Sequence, residues 1–147
     1  MSGFEVSRTI DAPIDVVWDV LVDVERMPEW TSSMRTVQLL NGAVLQRGSL
    51  VRITQPWLRP ATWVVDLLDP PRHFTWRSRT GRVEAVAGHL LEDRGTTTQA
   101  NLSIRHSGPG SGVVGLLTGP LIRRYVEREI TGLKARAEEL VSRSRHR

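Results

Sequence analysis

The sequence predicts an α+β fold in which a seven-stranded antiparallel sheet wraps around one long C-terminal helix, with two short helices after the first strand. Three observations carry this. Apolar residues recur at three- and four-residue spacing through the last third of the chain (Ile122, Val126, Ile130, Leu133, Ala137, Leu140, Val141), the mark of one amphipathic helix. The middle of the chain reads as alternating apolar and polar segments separated by turn residues, among them Asn41-Gly42, Asp69-Pro70-Pro71, Thr80-Gly81 and Asp93-Arg94-Gly95. The connections are too short for the crossovers that parallel strands need, so the pairing is antiparallel.

Each element has its own signal. Residues 4–10 alternate, with Phe4, Val6 and Ile10 on one face. Asp11-Ala12-Pro13 stops that strand, and Pro13 suits the first position of a helix, where its missing N–H is no loss. Asp15 places a carboxylate near the positive helix end. Ile14, Val17, Trp18 and Leu21 form the buried face of a helix near 13–22, and Asp23 caps a second short turn that Pro28 ends. Strands follow near 33–40, 48–55, 61–69, 72–79, 83–92 and 97–106. Alternation turns Val37, Leu39, Val51, Ile53, Trp63, Val65, Leu67, Phe74, Trp76, Ala85, Ala87, His89, Leu91, Ala100, Leu102 and Ile104 inward. The long helix runs from Val113 to about Arg143. Leu117, Leu121 and Tyr125 widen its stripe, and Pro120 either kinks it or starts its main part. From Pro120 onward it spans about 36 Å.

Composition narrows the function classes. A chain of 147 residues is read as one domain, 1–147, able to bury roughly 70% of its unfolded surface. There is no cysteine and the four histidines are scattered, so no metal site or cofactor is expected. The N-terminus has no signal-peptide core, and no apolar run reaches the ~20 residues that cross a bilayer. A cytoplasmic protein without stable membrane insertion is the default. The net charge is only +4, and nineteen of the twenty basic residues are arginine. A sequence pI near 10.8 therefore reflects a lack of groups titrating above neutrality, and no nucleic-acid partner is expected. Gly110-x-Gly112-x-x-Gly115 matches a dinucleotide fingerprint in letters. It lacks the second strand of a βαβ unit, so it reads as a flexible lead into the helix.

The stretch Ile10-x-Ala12-Pro13-x-x-x-Val17-Trp18-x-x-Leu21-x-Asp23, followed by Pro28-x-Trp30, resembles the opening of the START-like (SRPBCC) superfamily. The likeness is greatest to its polyketide cyclase/dehydrase and lipid-transport group. It continues through Gln55-Pro56, Trp63, Phe74-x-Trp76, Gly88-His89 and Arg128-Glu-Ile-x-Gly132-Leu133-Lys134, covering nearly the whole chain. The resemblance implies a helix-grip fold with a hydrophobic cavity between sheet and C-terminal helix.

Five tryptophans against two phenylalanines and one tyrosine form an unusual split. Trp18 reads as core. Trp63 and Trp76 point inward, where they line a cavity or fill it. Trp57 falls in a turn, an apolar loop tip suited to a portal, and Trp30 is a second mouth residue. Ile53, Leu117, Leu121 and Tyr125 complete the expected ligand-binding lining. His89 is the one ionisable side chain placed inward on the central strands. It is either a ligand hydrogen-bond or general acid–base group, or a neutral histidine satisfied by backbone. No inward carboxylate is expected beside it. Connections after 30, 55, 79 and 106 share one end, which places Leu58, Arg79 and Arg82 at a pocket mouth able to receive an amphipathic anion. The expected function is binding of a small hydrophobic or amphipathic molecule, lipid or polyketide-like. A polyketide cyclase/dehydratase-type enzyme and a protein-interaction module are the alternatives. The sequence assigns no oligomeric state.

Overall fold

The computed structural model describes residues 2–145. In chain order the elements are β1 (Ser2–Ile10), α1 (Ile14–Val22), a 3-10 helix (Val24–Glu29), β2 (Thr36–Leu39), β3 (Leu50–Thr54), β4 (Ala61–Asp69), β5 (His73–Thr80), β6 (Val83–Arg94), β7 (Thr97–Ser107) and α2 (Ser111–Arg145). The strands form one antiparallel sheet in the order β1-β7-β6-β5-β4-β3-β2. This is the helix-grip architecture expected from the sequence. Pro13 stands one position earlier than expected, as the extended residue just outside α1.

Register builds the core in rows across the sheet. Val6, Leu102, His89 and Phe74 are successive partners on β1, β7, β6 and β5, and Phe4, Ile104, Ala87 and Trp76 form the next row. All of these lie on the concave face, which α1 and α2 cover through Val17, Leu21, Ile130, Leu133 and Ala137, none of them exposed. The inward assignment fails at Leu67, which is 40% exposed. The register shifts between Val65 and Leu67, and this bulge inverts the alternation beyond it. Val65 stays buried, and Leu68 takes the inward place Leu67 was expected to hold. On the outer face Asp66 accepts hydrogen bonds from Thr75 and Arg77. Burial pushes its carboxyl up, but these bonds and the Arg77 charge outweigh burial and hold it below its usual range.

α2 continues through Pro120 without a break, so the proline removes one helical donor and does not start the helix. The C-terminal part of α2 is fastened to the rest. Lys134 reaches the Thr9 carbonyl at 3.2 Å and pairs with Glu138, which accepts the Asp11 N–H at 2.8 Å. Burial pushes the Glu138 carboxyl up, and these partners bring it net below its usual range. Arg136 pairs with Glu29 at 2.8 Å. Gly132 lies so close to Trp30 that an added Cβ would collide with the Trp30 carbonyl.

Candidate functional site

A cavity of about 340 Å³ lies between the concave face of the sheet and the N-terminal half of α2. It exists because the facing side chains are small. Ala85, Ala87 and Ala61 on the strands look toward Val114 and Thr118 on the helix, and none is long enough to bridge the gap. Larger apolar side chains close its sides: Trp63, Trp76, Ile53, Met34, Leu102, Ile104, Ile122 and Val126.

The floor is polar. The His89 ring stacks on Phe74, with centroids 4.0 Å apart and planes at 10°, and meets Trp76 edge-on at 5.2 Å. Its Nδ1 lies 3.2 Å from the carbonyl oxygen of Phe74, its partner across the strands. A carbonyl only accepts, so Nδ1 carries a hydrogen and donates it. Nε2 faces Glu129 Oε1 at 3.5 Å, longer than an ordinary N–H···O bond. Glu129 Oε1 is buried and has no hydrogen-bond partner among the described residues. An imidazole and a carboxyl group held together out of bulk water can bind a polar ligand group or pass a proton to one.

Three segments form the mouth. The β3–β4 loop supplies Leu58 and Arg59, the β5–β6 hairpin Thr80 and Val83, and the first turns of α2 Val114 and Thr118. The Tyr125 hydroxyl donates to the Pro56 carbonyl and ties loop to helix. Gln55 Nε2 donates to the Ser33 carbonyl at 3.2 Å, which brings the segment before β2 to the same end. At Gly108, with φ +99°, a Cβ would strike the Arg82 carbonyl, so the lead into α2 lies directly on the hairpin. His106 lines the cavity at this end. Burial pushes its imidazole below the usual range.

Among the residues singled out from sequence, Ile53, Trp63, Trp76, His89, Tyr125 and Leu58 line this cavity. The others lie elsewhere. Leu117 is 76% exposed, because at 100° per residue it sits about 140° round the helix from Ile122. Leu121, about 100° from Ile122, is half-buried outside the lining. Trp57 is 90% exposed, held at φ +68° on the loop tip and turned from the cavity. Trp30 packs on the other side of α2, beside Gly132, Arg124 and Arg128. Arg79 is taken up by Glu84 at 3.3 Å, and neither it nor Arg82 lines the cavity; the arginine at the rim is Arg59. Sequence reasoning missed Glu129 and His106, although both are in phase. Glu129 follows Val126 by three positions on the helical stripe, and His106 follows Ile104 by two on the strand. Both escape a search that traces the stripes through apolar residues alone. Arg59, in a loop, had no such signal. No three His, Asp or Glu side chains converge as a metal site requires among the described residues, and no helix there is long and apolar enough to cross a membrane.

Residues 1–139 match the family model described as polyketide cyclase / dehydrase and lipid transport. A search of curated proteins finds no match. Among solved structures, the Zhui aromatase/cyclase from Streptomyces sp. R1128 is 24% identical, with a TM-score of 0.71 and coverage of 95% of each chain. TTHA0849 from Thermus thermophilus is 17% identical, with a TM-score of 0.73 over 92% of this chain and 97% of that one. The di-domain ARO/CYC BexL from the BE-7585A biosynthetic pathway is 19% identical, with a TM-score of 0.70 over 97% of this chain and 48% of that one. At these identities the three show a common fold.

Proposed function

The chain belongs to the polyketide cyclase/dehydrase and lipid-transport family, and we propose that as a single cytoplasmic domain it binds a small hydrophobic or amphipathic molecule between sheet and helix. The observation that carries this is the cavity itself. Its size, its apolar walls and the polar groups set at its floor and mouth fit a small-molecule site. The test is to plug it. Ala87→Trp fills the space between β6 and α2, so a hydrophobic naphthalene fluorophore should bind wild type and lose at least tenfold in affinity for the variant, with Tm unchanged. Equal binding by both proteins would place the fluorophore elsewhere and remove the reading.

A second reading, a cyclase/dehydratase-type enzyme, is favoured by one observation, the contact of His89 with Glu129 inside the cavity. In loss of water from a β-hydroxy ketone, a base takes the hydrogen α to the carbonyl while the departing hydroxyl leaves with a proton from an acid. His89 and Glu129 are the groups to carry those protons. An aromatic β-hydroxy ketone followed by absorbance should lose water faster with wild type than with buffer, and His89→Phe should abolish the gain while still binding. Rates equal to buffer would leave a binding protein.

A further inference from the structure

We propose a second binding site, for the phosphate group of a phosphate ester, in a recess on the side of α2 turned away from the cavity. The recess is about 430 Å³, open to solvent, and shares no lining residue with the cavity. One wall is the turn after the 3-10 helix, with Trp30 and Ser32. The other is the outer face of α2, with Arg124, Glu127, Arg128 and Thr131. Gly132 lets the two walls meet, because a side chain there would collide with the Trp30 carbonyl.

The arginine pair carries the proposal. Other cations of α2 are committed within the chain: Arg123 lies over the Phe4 ring, Lys134 pairs with Glu138, Arg136 with Glu29 and Arg143 with Glu139. The exposed guanidinium groups of Arg124 and Arg128 make no ion pair or hydrogen bond among the described residues, although Glu127 stands between them in sequence. One turn apart, they are neighbours on one helix face, with Cβ atoms about 5–6 Å from each other. On the facing wall, Thr31 and Ser33 are buried and their hydroxyls bond to each other at 2.6 Å. Ser32 between them is exposed, with its N–H and hydroxyl uncommitted among the described residues. Two elements therefore bring donors without acceptors to one recess.

A phosphate ester suits this set better than a carboxylate. A guanidinium donates two parallel N–H bonds to an oxyanion. A phosphate monoester offers three free oxygens and about two negative charges, enough for both arginines and for Ser32. A carboxylate has two oxygens and one charge, which a single arginine satisfies. Glu127 opposes an anion, but two guanidinium groups against one carboxylate leave the recess positive. A phosphate group alone would leave most of the recess empty, so the ester carries an organic body that lies beside Trp30. A soluble phosphate ester and a phospholipid headgroup both present this chemistry.

NMR titration of the isotope-labelled protein with phenyl phosphate tests the site, at about pH 8 and low salt so that the ester is dianionic and unscreened. The largest amide shifts should fall on Ser32 and residues 124–132, and benzoate should bind there about tenfold more weakly. Arg124→Gln/Arg128→Gln should weaken phenyl phosphate about tenfold or more. Arg47→Gln/Arg52→Gln removes the same charge from outside the recess and should leave affinity within about twofold. All four arginines are exposed, so both double variants should keep the fold. Sedimentation with phosphatidylcholine vesicles, with and without phosphatidic acid, separates the two sources. Capture that needs phosphatidic acid and is lost only in Arg124→Gln/Arg128→Gln would support a headgroup. Binding of phenyl phosphate without capture would support a soluble ester. Benzoate binding as tightly as phenyl phosphate would overturn the phosphate assignment. Shifts confined to the cavity, equal losses in the two double variants, or no binding of either kind would overturn the site.

Discussion

From Ile130 onward α2 seals itself to the protein. Ile130, Leu133 and Ala137 are fully buried against the sheet and α1, and Lys134, Arg136 and Glu138 fasten its polar edge. The first turns of the same helix do the opposite. Val113, Leu116 and Leu117 stand in solvent, three glycines and Pro120 interrupt the side chains, and no charged residue occurs between Ser111 and Ile122. The difference lies in what each half faces. The C-terminal half meets side chains that reach it, whereas the N-terminal half meets Ala85 and Ala87, which do not. Stability and binding capacity are thus separated along one helix, because a cavity persists only where neither surface is long enough to fill it.

The largest expected effect marks that division. Leu133→Asp buries a charge without a partner and should cost about 4 kcal/mol or more, whereas Leu117→Asp should stay within about 0.5 kcal/mol. Urea unfolding of the two variants checks this, and similar losses would erase the distinction between the halves. A smaller effect is expected at the boundary. Tyr125→Phe removes the hydroxyl that holds Pro56 and should cost about 1 kcal/mol. Amide exchange should accelerate in residues 55–60 and not in α1; unchanged exchange there would mean the bond does not hold the loop.

The smallest is a pH effect at the mouth. The His106 imidazole is pushed down by burial, so between its folded and unfolded values the unfolded chain binds the extra proton. Stability from this group is complete above about pH 6.5 and declines as pH falls through the lower folded value. His106→Leu should flatten the decline in Tm below pH 6.5. An identical pH profile would show that His106 is not responsible for it.

The fold was legible because its signals are long and redundant. A helical stripe and seven alternating segments each constrain the others, and a register error in one strand would have exposed its whole apolar set. The bulge at Val65/Leu67 escaped because apolar pairs flank Asp66, Val64-Val65 before it and Leu67-Leu68 after it, so either phase offers an apolar residue to the core. The site was less legible for a different reason. His89 was found by strand phase, but its partner Glu129 lies forty positions away on another element, and only the packing of α2 brings the two together. Trp57 misled because an aromatic residue at a loop tip says nothing about which way it turns. Here the backbone at φ +68° carries it outward.

The fit of Gly132 over the Trp30 carbonyl has a mechanical consequence. Moving α2 by one residue along its own screw, about 1.5 Å along the axis with about 100° of rotation, would bring Thr131 or Leu133 over that carbonyl, and either Cβ would jam against it. The helix is therefore locked against that screw motion at one point near its middle. Its remaining freedom is to pivot there, with the sealed half as the short, stiff arm and the half above the cavity as the free one. A ligand larger than the resting cavity would be accommodated by tilting that free arm away from Ala85 and Ala87, with the far end of the helix hardly displaced.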